Sequence, residues 1–243
     1  MIEVAAFACV GVGLIISISS RRDKLIAEKL NEATLINELK GLGKFLANEP
    51  LNRTVVVYGT VGSTSTVENN RSGGLGVYVE ENVTICFKRK DGDHDSEQEY
   101  RKVMLNRKQV PWYLDDGTTR VNVMEIQFAK GFYATLKKYF FTEPVAEHFE
   151  RFFSMKDVQI YAPDCCDHVL EIGTPLTVVG RAEKDEDGAP MIGRAYEVFN
   201  GHIIVDKLVS DLKSNSLIYA DFSWFLTAIG VALVLQCTHY KFV

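Results

Sequence analysis

Two long apolar runs frame the chain, and between them the spacing of apolar positions changes from helical to strand-like near residue 50. Ile2 to Ser19 carries one charge, Glu3. As a helix rising about 1.5 Å per residue, it would reach roughly 27 Å, close to the hydrocarbon thickness of a bilayer. Phe222 to Thr238 carries no charge and reads FSWFLTAIGVALVLQCT, with Trp224 near one end and Tyr240 and Lys241 beyond the other as interfacial anchors. The pattern predicts a transmembrane helix over 2–19, another over 222–238, and a short tail over 239–243. Glu3 in place of a basic leading segment argues for a retained anchor at the first run rather than a cleaved signal peptide.

Arg21 to Leu46 repeats Leu25, Ile26, Leu30, Ala33, Ile36, Leu39 and Leu42 mostly at spacings of three and four, which predicts a juxtamembrane helix over 21–46. Gly41 and Gly43 mark where it weakens. From Asn52 the pattern turns to strands: TVVVYGTV is β-branched and continuous, while GLGVYVE and VTICFKRK alternate. QVPWYLDDGTTRVNVMEI reads as strand, turn, strand about Asp115-Asp116-Gly117. Thr142, Pro144, Val145, Phe149 and Phe152 have the cap and spacing of a helix near residues 143 to 155. The expected fold class is α+β: an antiparallel, β-rich soluble domain over 52–212, barrel-like, between two transmembrane helices.

Composition narrows the function classes. The 243 residues hold 27 Lys and Arg against 32 Asp and Glu, a net charge of −5. Only Glu3 and Lys241 lie outside residues 20–221, so the middle carries the same imbalance. A surface that tracks phosphates needs the opposite sign, so no nucleic acid partner is expected. The five cysteines are Cys9, Cys86, Cys165, Cys166 and Cys237, with no Cys-x-x-Cys among them. That is neither a disulfide framework nor a start for a zinc ribbon. Arg21, Arg22 and Lys24 follow the first run and would favour a cytosolic middle, a weak rule for a domain of this length.

Few residues invite chemistry. Cys165-Cys166-Asp167-His168 offers a thiol, a base and three potential metal ligands, but sequence neighbours seldom face one another, and a loop is the plainer reading. Lys88-Arg89-Lys90, followed by acids from Asp91, reads as a solvated hairpin tip. Asp115 and Asp116 read as turn chemistry. Phe132, Tyr133, Tyr139, Phe140 and Phe141 read as an aromatic core before a ligand pocket or a membrane-skimming face. No catalytic, cofactor-binding or metal-binding residue is assigned.

From Leu170 the chain reads LEIGTPLTVVGRAEKDEDGAPMI, a strand, a charged turn ending at Gly188 and a second strand. With Val110-Pro111-Trp112-Tyr113-Leu114-Asp115-Asp116-Gly117, Glu38-Leu39-Lys40-Gly41 and the run from Val198 to Leu212 into the last apolar segment, it resembles the GIDE or beside-a-membrane domain. That domain belongs to the organelle outer-membrane RING-type E3 ubiquitin ligases, the mitochondrial MAPL-type ligase and its chloroplast relatives. The resemblance implies a multi-pass membrane protein of a mitochondrial or chloroplast outer membrane. It implies a function in protein ubiquitination, with the lipid bilayer, full-length E3 relatives and substrate proteins as partners. In the family a zinc-binding RING follows the second span and docks the ubiquitin-charged E2 enzyme. Here only His239 to Val243 follow Thr238, so the expectation is a substrate-recognition or assembly part, without zinc or other cofactor and not catalytic alone. A membrane-tethered binding or scaffold module unrelated to ubiquitin is the alternative.

Overall fold

The computed structural model describes residues 2–48, 53–89, 98–142 and 158–242, with side chains described over 7–48, 53–85, 100–141 and 164–236. The chain divides into two compact units, Met1–Thr34 with Ile203–Val243, and Leu35–His202.

The first unit is a pair of antiparallel helices, α1 (Ile2–Glu32) at its start and α4 (Val205–Phe242) at its end. Their seam is built on a repeat of seven. Buried positions on α4 include Val209, Ser216, Ser223 and Gly230, and on α1 Gly13, Ser20 and Ala27. Seven residues are close to two helical turns, so each set falls on one stripe, and the small side chains let the backbones approach. Ser20 Oγ donates to the Ser216 carbonyl at 2.6 Å, and Ser223 Oγ donates to the Gly13 carbonyl at 2.8 Å. A Cβ at Gly13 would lie 2.6 Å from Thr227 Oγ1 and 3.2 Å from the Ser223 carbonyl oxygen, so this crossing requires glycine. The outer surface is the reverse of a soluble helix pair: Phe7, Ile15, Ile18, Leu217, Trp224 and Leu235 are all exposed.

Among the described residues, one helix, Val205–Gln236, is long and apolar enough to cross a membrane. α1 runs into the charges Arg21, Arg22, Asp23 and Lys24 and is not a candidate among the described residues by the same measure of length and composition. The expectation of two transmembrane helices and a multi-pass membrane architecture is therefore corrected to a β-rich domain with one candidate spanning helix. That helix begins at Val205, so the apolar run from Phe222 and the polar turns before it are one element.

The helix expected over 21–46 is also divided. Its first part completes α1; then Thr34–Ile36 forms a short strand, β1, and Gly41–Asn48 forms α2. The Asp116 carboxylate decides the break: its Oδ2 accepts the Leu39 N–H at 2.6 Å, so a residue far along the chain caps the entry to α2. Leu39, Leu42 and Leu46 then sit in the core of the second unit.

That core belongs to a closed barrel of β2 (Thr54–Gly62), β10 (Pro175–Lys184), β11 (Pro190–Asn200), β7 (Arg120–Val123) and β6 (Tyr113–Asp115), with β1 attached to β2. Closure comes from β2, which pairs β10 along Thr54–Thr60 and β6 along Thr60–Gly62. The β11–β7 pairing is parallel; the others around the ring are antiparallel. β10 shifts register twice against β11, between Val179 and Gly180 and between Arg181 and Ala182, bending the strand to close the ring. At Gly180 a Cβ would fall 2.5 Å from Ile192 Cγ2 and 2.6 Å from the Arg194 carbonyl oxygen, so only glycine fits the bend. Val55, Val57, Leu114, Leu176, Val178 and Ile192 fill the interior, each fully buried side chain contributing about 1.5–3 kcal/mol.

A second sheet, antiparallel throughout, orders β8 (Lys137–Thr142), β9 (Val158–Glu171), β4 (Leu75–Arg89) and β5 (Gln98–Gln109), with β3 (Val67–Glu68) on the start of β4. The two strands read from GLGVYVE and VTICFKRK are one strand, β4, whose Val77 and Tyr78 enter the barrel core. Between the sheets, Ile126–Phe128 makes a 3₁₀ turn and Phe132–Thr135 a short helix, α3, in place of continuous strand. The aromatic helix expected near 143 to 155 lies outside the described residues.

Two substitutions test these constraints. Gly13→Leu should force α1 and α4 apart at a cost of about 1–3 kcal/mol, read as faster amide exchange on α4 around Ser223 and Thr227. Asp116→Ala removes the Leu39 cap and the bonds from Thr118 and Thr119. It should lower stability by about 1–2 kcal/mol, measured as a shift in urea midpoint.

Candidate functional site

β5 ends at Gln109, and Val110-Pro111-Trp112 carries the chain from the second sheet into β6. Two bonds hold the crossing: the Val110 N–H donates to the Val77 carbonyl at 3.0 Å, and Ser63 Oγ donates to the Pro111 carbonyl at 2.6 Å. Trp112 turns inward and joins the barrel core. This segment, the end of β7 with Met124, Glu125 and Gln127, Met191 on β11, and Asp185 in the β10–β11 turn line a cavity of about 580 Å³. That volume lies in the range of small-ligand and peptide sites.

Trp112 and Gln127 each also hold a polar atom buried without a hydrogen-bond partner, the indole Nε1 and the amide Oε1, neither of them open to the cavity. Asn69 Nδ2, Glu81 Oε1, Asp167 Oδ2 and Arg181 Nε share that condition elsewhere among the described residues, so it does not mark this cavity. Glu125 is irregular in another way. It holds φ at 55°, the left-handed region that a residue with a Cβ occupies reluctantly, and is the one such non-glycine among the described residues. The 3₁₀ turn that follows, with Phe128 N–H donating to the Glu125 carbonyl at 3.1 Å, fixes it there.

A separate polar network crosses the second sheet. The buried Glu80 carboxylate accepts from Tyr78 Oη at 2.7 Å, Tyr133 Oη at 2.8 Å, Arg107 Nη2 at 3.0 Å and Asn82 Nδ2 at 3.1 Å. Burial pushes its pKa up, but the four donors together outweigh burial and hold it at about 2. Tyr78 is raised, by burial first and then by its bond to Glu80. Every oxygen of Glu80 is partnered, which suits an ion that ties β4, β5 and α3 together better than one waiting for a proton.

Cys165-Cys166-Asp167-His168 lies on β9, not in a loop, paired on one side with Val83 to Glu80 and on the other with Phe141 to Lys138. Alternation along the strand separates its side chains onto two faces. Cys165 is buried with Val83 and Ile85, and Asp167 is fully buried with Arg71 Nη1 at 2.9 Å. Burial pushes the Cys166 thiol up and the His168 imidazole down, away from a thiolate–imidazolium pair. His168 Nδ1 instead lies 3.2 Å from Asn82 Nδ2, with its ring edge-on to Tyr133. Among the described residues, no group of three or more His, Cys, Asp or Glu side chains is placed to hold a metal ion.

Asp115 and Asp116 form the β6–β7 turn: Asp115 Oδ1 accepts the Gly117 N–H at 2.8 Å, and Asp116 Oδ1 accepts those of Thr118 and Thr119. Of the aromatics, Phe132 is fully buried while Phe128 and Phe140 are exposed. Lys88 and Arg89 end β4, and Lys90 with the acids from Asp91 to Asp95 lies outside the described residues.

The family sequence model described as "GIDE: E3 Ubiquitin ligase" matches residues 85–235, from the second half of β4 to the apolar part of α4. The chain belongs to the GIDE family of E3 ubiquitin ligases. It is 32% identical over 223 residues to the E3 ubiquitin-protein ligase SP1 of Arabidopsis thaliana, covering 90% of this chain and 64% of that protein. It is 31% identical over 245 residues to the E3 ubiquitin-protein ligase SPL1 of the same plant, covering 96% and 70%. The chain thus spans about two thirds of the length of these relatives. No solved structure matches it. The GIDE match contains the Trp112 cavity and its partners on β7 and β11.

Sequence reasoning singled out Val110-Pro111-Trp112 for its resemblance and missed the cavity, because Met124, Gln127 and Met191 reach it only through barrel closure. It missed the Glu80 network too, although Glu80, Glu81 and Asn82 are three polar residues in mid-strand, a signal that could have marked it. Glu80→Gln should lower stability by about 3–5 kcal/mol, since Arg107 and two tyrosine hydroxyls lose their anion. The folded pKa of Glu80 lies below its ordinary 4.5, so its contribution is full above about 4.5 and is lost as pH falls toward about 2. Urea midpoints across that window should drop in the parent chain and stay flatter in Glu80→Gln.

Proposed function

We propose that these residues serve a RING-type ubiquitin ligase system as its membrane-held recognition and assembly part. The observation that carries the reading is the GIDE match over residues 85–235, which covers barrel strands β6, β7, β10 and β11 together with the apolar part of α4. α4 supplies one candidate membrane span, and the barrel and sheet supply a rigid platform joined to it in sequence. Ubiquitin transfer needs a docked E2 enzyme, and a RING builds that dock around zinc. The 243 residues contain no Cys-x-x-Cys from which such a platform starts. In this reading the transfer step belongs to the RING of the ligase system, while these residues contribute recognition of the protein to be modified and attachment to the membrane.

Reconstitution tests the reading. The purified full chain in nanodiscs should fail to discharge ubiquitin from a charged E2 enzyme. Cross-linked membranes carrying the tagged chain should yield a RING-bearing GIDE relative, identified by mass spectrometry, and adding that relative should restore discharge. Discharge by the chain alone, or recovery of no RING-bearing partner, would sink the proposal.

A further inference from the structure

Along the helix pair of α1 and α4 the charges are sorted into layers. The Ser20–Ser216 and Ser223–Gly13 bonds fix the antiparallel register, so each position on one helix has a level on the other. Arg21, Arg22, Asp23 and Lys24 of α1 stand level with α4 from Asn215 back to Leu212, a stretch that includes Lys213. Arg21, Arg22, Lys24 and Lys213 are all exposed. The acid among them, Asp23, is only 16% exposed in its side chain and lies 4.0 Å from Arg22 Nε. This layer therefore presents cations.

On one side of it the surface is apolar: Ile15 and Ile18 of α1 and Leu217, Ile218, Phe222 and Trp224 of α4 are exposed. Among the described side chains on that side Asp221 is the one charge, and at eight positions along α4 from Lys213 it stands about 12 Å away. On the other side acids outnumber bases, with Glu28, Glu32, Asp206 and Asp211 against Lys29 and Lys207.

A helix leaving the hydrocarbon of a bilayer crosses the lipid phosphates within a short distance. Cations at that level are drawn to anionic headgroups, and the field fades within a Debye length, so acids farther out escape most of the repulsion. The order apolar, cationic, acidic is thus the order that suits an anionic membrane surface. Arginine and lysine stems can also lie along apolar surface while their heads reach the phosphates. The chain as a whole carries −5, so its total charge disfavours such a surface and only the placement of these cations favours it. α4 is the candidate span, and α1 brings three of the four cations to its level.

We infer that Arg21, Arg22, Lys24 and Lys213 form a headgroup site that selects anionic phospholipids from the membrane entered by α4. The inference goes beyond the recognition role proposed above and rests on that reading only for membrane attachment.

The test reconstitutes the full tagged chain in vesicles of equal parts phosphatidylcholine and phosphatidylglycerol. After a carbonate wash the chain is extracted in mild nonionic detergent, and the lipid purified with it is quantified by mass spectrometry. Phosphatidylglycerol should be enriched at least about threefold over its share in the vesicles. Replacing the four cations together, Arg21→Gln, Arg22→Gln, Lys24→Gln and Lys213→Gln, should return the ratio to that of the vesicles. Lys213→Gln alone should lower it part-way. Lys29→Gln with Lys207→Gln, which removes two cations from the acidic layer, should leave the enrichment intact. Amide protection at Ser216 and Ser223 checks that the helices remain paired, and Lys213→Gln decides if the fourfold variant loses it. No enrichment in the parent chain, an unchanged ratio in Lys213→Gln, or an equal loss in the Lys29 and Lys207 variant would overturn the inference. So would displacement of the lipid by inorganic phosphate at fixed ionic strength, which would assign the layer to a soluble anion. If enrichment fails while a RING-bearing partner is still recovered, the lipid site falls and the proposed function stands. A chain that leaves the vesicles in the carbonate wash would remove both the lipid site and the membrane attachment.

Discussion

Barrel closure through β2 is the constraint on which the rest of the soluble unit depends. One strand of nine residues pairs β10 along most of its length and β6 at its end, so a ring forms from segments separated by more than a hundred residues. Closure removes the unpaired backbone edges that an open sheet of this size would expose. It also creates the interior into which Leu42 and Leu46 of α2, and Leu39 just before it, descend. The bend at Gly180 and the cap from Asp116 make the ring tight and bring α2 to its mouth.

The second sheet shares this core through Val77, Tyr78 and Leu170, then departs from it along β4 and β9. Polar residues near that departure would be costly if left unpaired in a low-dielectric interior. The Glu80 network answers the difficulty by giving one anion four donors from β4, β5 and α3. It is the most elaborate polar arrangement in the described unit, yet its satisfied geometry marks it as structural.

The helix pair follows a different logic. In water, burying serines and glycine while exposing phenylalanine and tryptophan would be unfavourable. Beside lipid the hydrophobic effect no longer sorts side chains between inside and outside, and close backbone approach with interhelical hydrogen bonds holds helices together. α4, the one candidate span among the described residues, meets α1 along a stripe of small residues with two such interhelical bonds. Such a seam explains why a chain with 47% apolar residues still carries an acidic, polar middle: the apolar residues are unevenly allocated between the two units.

The amino-acid sequence by itself determined the apolar ends, the strand-rich middle, the β6–β7 turn at Asp115-Asp116-Gly117, and the order of motifs that places the chain in the GIDE family. These are local properties, set by periodicity, turn chemistry and residue type within short windows. Tertiary structure alone decided where the helix after the first apolar run breaks, since its cap comes from Asp116 across the fold. It decided that Cys166 and His168 share a face with Asn82 instead of serving each other, because pairing with β4 and β8 sets the pleat. It decided the count of candidate spans among the described residues, because length and charge must be judged on the continuous helix and not on the apolar run within it. And it assembled the Trp112 cavity from β7, β11 and their turns, whose residues lie far apart in sequence and meet only when the ring closes.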